Sequence, residues 1–137
     1  MTRSYDLAAR GWVTSGRVLQ VVQATKSDTF STNSASYVDV TGMSASITPS
    51  STSSKVMILV QVNSSASAGY PFAKILRGST DIYIGDASGS RARVSVAAPG
   101  TNGLRSFATQ AIHYLDSPAT TSSTTYKLQM LNSDGGT

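Results

Sequence analysis

The stretch that decides the fold class is Lys55-Val56-Met57-Ile58-Leu59-Val60-Gln61-Val62, which is apolar at almost every position. It is too short for a typical buried helix, and its β-branched residues favour a strand. Because apolar side chains fall on both of its alternating faces, we expect a central strand that is buried on both faces.

Similar short runs recur on both sides of this stretch, separated by Ser, Thr, Gly, Asn and Pro. Apolar or alternating runs bounded by turn-forming residues are typical of successive strands. Besides residues 55–62, the predicted strands are residues 18–23, 36–40, 44–47, 72–77, 81–84, 91–96, 106–115 and 126–131. About eight or nine short strands with no helix predict an all-β, antiparallel β-sandwich that is jelly-roll-like. Gly78-Ser79-Thr80 predicts a hairpin turn.

The chain is 137 residues long, which suits one compact domain. Residues 1–17 lack the strand-like pattern of the rest of the chain, and we predict that they form an N-terminal arm or anchor. Residues 18–137 are predicted to form a β-sandwich domain. Trp12 is the only tryptophan. It either caps the edge of the core or anchors the arm on a partner, since tryptophan is a favoured interface residue.

Charge and hydropathy narrow the set of partners. The net charge is +4, but the basic residues are spread from Arg3 to Lys127 without a run. Nucleic-acid binders usually show a clustered basic face, so a nucleic-acid partner is not expected. No apolar segment has the length of a signal peptide or of a membrane span. The sequence therefore predicts a soluble chain that is made in the cytoplasm without a secretory signal.

The chain lacks the residues that most catalytic and metal sites require. It has no cysteine, no glutamate and a single histidine, His113, within an apolar string. Zinc sites depend on Cys and His, and glycosidases need two facing carboxylates. The aspartates stand next to turns, where side-chain to backbone hydrogen bonds are their usual role. We therefore expect no catalytic residue, no metal, no cofactor and no enzymatic activity.

Binding is then expected on loops that a rigid scaffold holds in place. The candidate loops are residues 63–71, 85–91 and 97–105. The side chains predicted to contact a ligand or partner are Trp12, Tyr70, Arg91 and Arg93. For Tyr70 the alternative is packing beside Phe72 under its loop.

Self-association is a second expectation. Val56–Val62 and Ile112–Leu115 offer apolar side chains to both faces of their strands, so one of those faces is a candidate subunit contact. A small two-sheet domain also has edges that a second copy would cover.

Several strings, taken in order, resemble a group of bacteriophage tail-fibre and virion-associated structural proteins. They are VLQVVQATK (18–26), YVDVTG (37–42), ITPSSTSSKV (47–56), LRGST (76–80), IGD (84–86) and YLDSP (114–118). The resemblance covers roughly residues 18–136 and implies a β-sandwich head, trimeric, on a fibre or on the capsid. It transfers no catalytic residue. Members of that group continue past the Gly135-Gly136 region, so we expect a final strand that is either missing or supplied by a neighbour.

The function that this resemblance implies is a virion surface structural module of a bacteriophage. It would be a fibre or spike head or a capsid decoration protein, acting in assembly or host attachment. Its partners would be copies of itself, other virion proteins bound through residues 1–17, and a host surface glycan. The alternative is a free-standing, lectin-like carbohydrate-binding domain without a virion role.

Overall fold

The computed structural model describes residues 17–98 and 106–133. Within these ranges the chain forms seven strands and no helix, slightly fewer strands than the sequence predicts. The strands are β1 (Val38–Ile47), β2 (Val56–Ala66), β3 (Pro71–Arg77), β4 (Thr80–Ile82), β5 (Val96–Ala97), β6 (Ser106–Asp116) and β7 (Thr124–Asn132).

The strands form two antiparallel sheets. The larger sheet has the order β1-β7-β3-β4, and β5 also pairs with β3. The smaller sheet consists of β2 and β6, which pair along their whole length from Val56↔Asp116 to Ala66↔Ser106. The prediction of an all-β, antiparallel protein is confirmed.

Both sheets contribute to one hydrophobic core. Since successive side chains of a strand point to opposite faces, alternate residues of each strand reach this core. Ile75 at the centre of β3 is 1% exposed, and burying such a side chain contributes about 1.5–3 kcal/mol. The buried core residues are Val40, Val56, Ile58, Ala73, Ile75, Ile82, Ile112, Tyr126 and Leu128.

Strand β2 is not the central, doubly buried strand that its composition predicts. Among the described residues it pairs only with β6 and forms one edge of the smaller sheet. Val56 and Ile58 are buried, whereas Met57 and Leu59 are exposed. The prediction was wrong because an apolar run shows only that both faces suit burial. Whether another layer covers the outer face depends on the rest of the chain.

Two other predicted strands are largely absent. Residues 18–23 form no strand, because no described strand lies beside them to complete a ladder. Of residues 91–96, only Val96 belongs to a strand. Just before it, the hydroxyl of Ser95 accepts a hydrogen bond from the backbone N–H of Ile75, at 3.1 Å. A side chain thus takes the place of a ladder partner, so regular pairing is limited to two residues of β5.

Strand β1 joins two segments that the sequence predicts as separate strands, residues 36–40 and 44–47. Its pairing with β7 shifts register between Asp39 and Ser44. Gly42 lies in this irregular stretch with φ 85°, a conformation that side chains with a Cβ rarely adopt. The glycine therefore allows a bulge inside the strand rather than ending it.

The hairpin turn predicted at Gly78-Ser79-Thr80 is confirmed. Arg77 of β3 pairs with Thr80 of β4, which leaves a two-residue connection. Gly78 occupies its first position with φ 59°, as tight hairpin turns between twisted strands require.

A buried polar cluster joins the two sheets at one end of the core. Arg77 donates two hydrogen bonds from Nη1 to the Asp116 carboxylate, at 2.8 and 2.9 Å. The hydroxyl of Tyr126 donates a third to the same carboxylate, at 2.6 Å. The Asp116 side chain is only 4% exposed. Its charge is therefore balanced by partners on β3 and β7 rather than by water, and the cluster ties β6 to the larger sheet.

This cluster makes stability sensitive to alkaline pH. Burial, and then the hydrogen bond to Asp116, raise the pKa of Tyr126 above its ordinary value. Above pH of about 10 the unfolded chain loses this proton while the folded chain keeps it, so stability falls as pH rises, by up to about 1.4 kcal/mol per unit. We expect Tyr126→Phe to flatten this decline in urea titrations. If the free energy of unfolding falls equally steeply with pH in the wild-type protein and in Tyr126→Phe above pH 10, Tyr126 is not the group responsible for the decline. The two proteins should show the same pH dependence below pH 9.

Candidate functional site: an uncharged sheet face

The outer face of the β2–β6 sheet carries no charged side chain. Alternate residues of both strands point away from the core and into solvent, and none of them is Lys, Arg, Asp or Glu. We call this surface the uncharged face. It consists of Met57, Leu59, Gln61, Asn63, Ser65, Phe107, Thr109, Ala111, His113 and Leu115.

The register of the two strands groups the apolar side chains at one end of this face. Met57 lies opposite Leu115, and the next outward pair is Leu59 with His113. Leu59 is 69% exposed, and Met57 and Leu115 are also more than half exposed. Single exposed apolar residues are ordinary, but adjoining ones mark interaction surfaces. This end therefore offers a small apolar patch with one imidazole beside it.

Polar side chains occupy the middle of the uncharged face. The hydroxyl of Thr109 donates a hydrogen bond to Oδ1 of Asn63, at 2.7 Å across the strands. Beyond this pair Phe107 stands 79% exposed, opposite Ser65. The face thus has an apolar patch, a polar centre and an isolated aromatic ring, a mixture typical of protein interfaces.

The outer side of the larger sheet has the opposite character. Lys74 pairs with Asp81 at 2.8 Å, and Lys127 pairs with Asp39 at the same distance. Lys74 also lies 4.3 Å from the centre of the Tyr37 ring. Charged pairs of this kind are usual on a sheet face that meets water. The two sheets of one chain therefore provide an internal comparison, and only the β2–β6 face lacks such charges among the described residues.

The charges on the larger sheet are satisfied by neighbours. Hydrogen bonds from Lys127 and then Gln129 lower the pKa of Asp39. Burial, and then the nearby charge of Asp81, raise the pKa of Tyr37. The charged side chains named here are therefore paired with one another within the described part of the larger sheet.

The loop residues predicted from sequence mostly support the protein's own backbone. Arg93 donates from Nε to the carbonyl oxygen of Gly85 at 2.6 Å, and Arg91 donates to that of Asp86 at 3.4 Å. Both arginines remain exposed. Their guanidinium groups therefore hold residues 85–86 in place, and their contact with a ligand or partner stays a prediction.

Tyr70 occupies a different part of the surface. Its ring stacks on Phe72 with centroids 6.2 Å apart, and it is 49% exposed. Its backbone N–H and carbonyl both bond to Ser133. No hydrogen bond or ring contact among the described residues joins Tyr70 to the arginines, so these predicted contacts do not form one site. The predicted contact Trp12 and residues 1–16 of the predicted arm (residues 1–17) lie outside the described residues.

The apolar faces of Val56–Val62 and Ile112–Leu115 are a candidate subunit contact by sequence, and the outward residues of these two strands lie side by side in the structure. The sequence pattern did not single out Leu59, His113 or Phe107 as members of a site. The available signal was the lack of any charged residue from position 56 to 66, at odd-numbered and even-numbered positions alike. Only the tertiary structure shows whether the odd-numbered or the even-numbered residues of β2 face outward.

The described residues contain no group of three His or Asp side chains placed to hold a metal ion. Among the same residues there is no helix long and apolar enough to cross a membrane. Comparison of the chain with known protein families, curated proteins and solved structures finds no match.

Proposed function

We propose that this chain is a non-enzymatic structural module of a bacteriophage particle, acting in assembly or attachment at the virion surface. The observation that carries this proposal is the uncharged face of the β2–β6 sheet. A surface of this composition suits a protein partner, because burying it requires no charge to be desolvated.

The resemblance of residues 18–136 to tail-fibre and virion-associated proteins supplies the biological setting of the proposal. The proposal includes two further statements. The two sheets form the layers of a jelly-roll-like sandwich, and the assembled form is a homotrimer. Two features of the described structure support self-association. The uncharged face matches the needs of a repeated interface, and the paired charges of the larger sheet would keep its opposite surface in water.

The experiment that tests this function is incorporation into particles. We expect mass spectrometry to detect the chain in purified virions of the phage that encodes it. Leu59→Lys should reduce incorporation at least tenfold, because it places a charge at the centre of the exposed apolar patch. Thr41→Lys is the matched control, since Thr41 is an exposed residue of β1 on the larger sheet.

Absence of the chain from purified particles would contradict the virion role, and equal incorporation of the two lysine variants would contradict the role of the face. A glycan screen of the same proteins tests the lectin-like alternative. Among the described residues the exposed aromatic side chains are Tyr70, Tyr83 and Phe107. The rings of Tyr70 and Tyr83 already stack on neighbours, Phe72 and Tyr114, which leaves Phe107 as the ring available for sugar stacking. Glycan binding by a chain that is absent from particles would favour the alternative.

A further inference from the structure

Strand β2 has a free edge. Its other edge pairs with β6 from Val56 to Ala66, while no described residue forms a ladder with the side facing away from β6. Along residues 57–65, the backbone N–H and C=O groups of alternate residues therefore point away from the sheet, and no described strand forms hydrogen bonds with them. An edge of this length is a template for another strand unless something covers it.

A groove follows this free edge between the two sheets. One part, of about 230 Å³, lies beside Met57–Gln61, and an adjoining part, of about 880 Å³, lies beside Gln61–Ser67. Met43 and Leu128 of the larger sheet line both parts and contribute apolar surface to each. Residues 22–24 of the same chain also line the smaller part, and residues 26–32 line the larger part, which has a mixed polar and apolar lining.

One polar group in the groove lacks a partner. The hydroxyl oxygen of Ser64 is buried and makes no hydrogen bond with any described residue, although it lines the larger part of the groove. Buried hydroxyl groups without partners are costly and uncommon in native proteins. A chain segment laid along β2 would bring backbone groups within reach of it.

The same chain contains a segment suited to this position. Residues 18–23, Val-Leu-Gln-Val-Val-Gln, carry no charge and have the composition of a strand, yet they form none. Val18, Leu19 and Val21 are each at least 67% exposed. The last two residues of the segment, Val22 and Gln23, line the groove beside Met57–Gln61 of their own chain, together with Ala24. The segment therefore ends at its own groove, and its first four residues precede the part that lines it.

We propose that the free edge of β2 in one copy of this chain accepts residues 18–23 of a second copy as an added strand. The added strand would pair with the backbone of β2, place apolar side chains over Met43 and Leu128, and reach the Ser64 hydroxyl. Exchange of identical segments between copies is a low-cost route to a closed oligomer. The inference rests on the self-association included in the proposed function and names the elements that carry it.

Proline substitution tests the added strand directly, because proline removes the backbone N–H that a ladder needs. In an added strand only alternate residues donate their backbone N–H to the partner strand. Gln20→Pro and Val21→Pro must therefore differ in how much they weaken the oligomer. We expect one of them to raise the dissociation constant of the oligomer at least tenfold and the other to have a smaller effect. Gln20→Ala and Val21→Ala retain the N–H and should stay close to the wild-type value.

The readout is the solution mass of the full chain by light scattering over a dilution series, in multiples of 14.3 kDa. Neither proline removes a hydrogen bond within the described part of the protomer. The thermal unfolding temperature of dilute protein should therefore be unchanged. A monomeric wild-type chain, or an oligomer that neither proline weakens, overturns the inference. Because the measurement uses the purified chain, its failure is distinct from absence of the chain from particles.

Discussion

Replacing Arg77 with alanine is expected to lower the free energy of unfolding by about 3–5 kcal/mol. The guanidinium group makes two short hydrogen bonds to Asp116, whose side chain is 4% exposed. Removing it leaves a buried carboxylate with only the Tyr126 hydroxyl as a side-chain donor. The cost arises from this uncompensated charge, since an intact buried pair is itself close to neutral relative to apolar packing.

Urea or guanidinium titration measures this effect, and the chain offers a matched control. Lys74→Ala breaks the Lys74–Asp81 pair, and the carboxylate that it leaves behind, Asp81, is 35% exposed, so that water can replace the lost partner. We expect that variant to lose less than about 1 kcal/mol. Adding Asp116→Asn to Arg77→Ala should recover part of the loss, because the buried charge is then removed. Similar losses for Arg77→Ala and Lys74→Ala would show that the Asp116 carboxylate is hydrated in the folded protein.

Ile58→Asp is expected to prevent folding altogether. Ile58 is 8% exposed and belongs to the core shared by the two sheets. An aspartate there would bury a charge without a partner and remove an aliphatic side chain from the core, a combined cost above about 4 kcal/mol. Domains of this size have a total stability of about 5–15 kcal/mol, so little or none would remain.

The neighbouring residue provides the control for this prediction. Leu59→Asp places the same side chain one position along the same strand, where the native residue is 69% exposed. We expect it to fold, with a change within about 1 kcal/mol in dilute solution, as for a strand surface position. Circular dichroism and thermal unfolding distinguish the two variants. Cooperative unfolding of Ile58→Asp near the wild-type temperature would mean that β2 turns its other face to the core.

The strands that sequence patterns identified most securely are those with long apolar runs and strong turn residues at their ends. Residues 56–62 of the predicted run 55–62, and all of residues 106–115 and 126–131, lie within strands of the structure. The hairpin turn at Gly78 could be predicted equally well, because few residues other than glycine adopt the positive φ that this turn requires. These features depend on local chemistry, which a sequence displays directly.

The failures of sequence interpretation involve pairing. Residues 18–23 have the composition of a strand but find no ladder partner within the described chain, and residues 91–96 lose theirs where the Ser95 hydroxyl intervenes. The hydrogen bonds of Arg91 and Arg93 to carbonyl oxygens of residues 85–86 likewise could not be predicted from sequence, and their role as ligand or partner contacts stays a prediction.

By itself, the sequence determined that this protein is built from antiparallel strands, because β-branched alternation, turn residues and the shortage of helix formers all act locally. The tertiary structure alone decided which side of β2 meets the core and which of its edges has no partner strand among the described residues. It also decided that Arg77, Asp116 and Tyr126 meet between the sheets. A strand that is apolar on both faces is compatible with either orientation. Only the packing of the larger sheet against one of them makes Ile58 a core residue and Leu59 a surface residue.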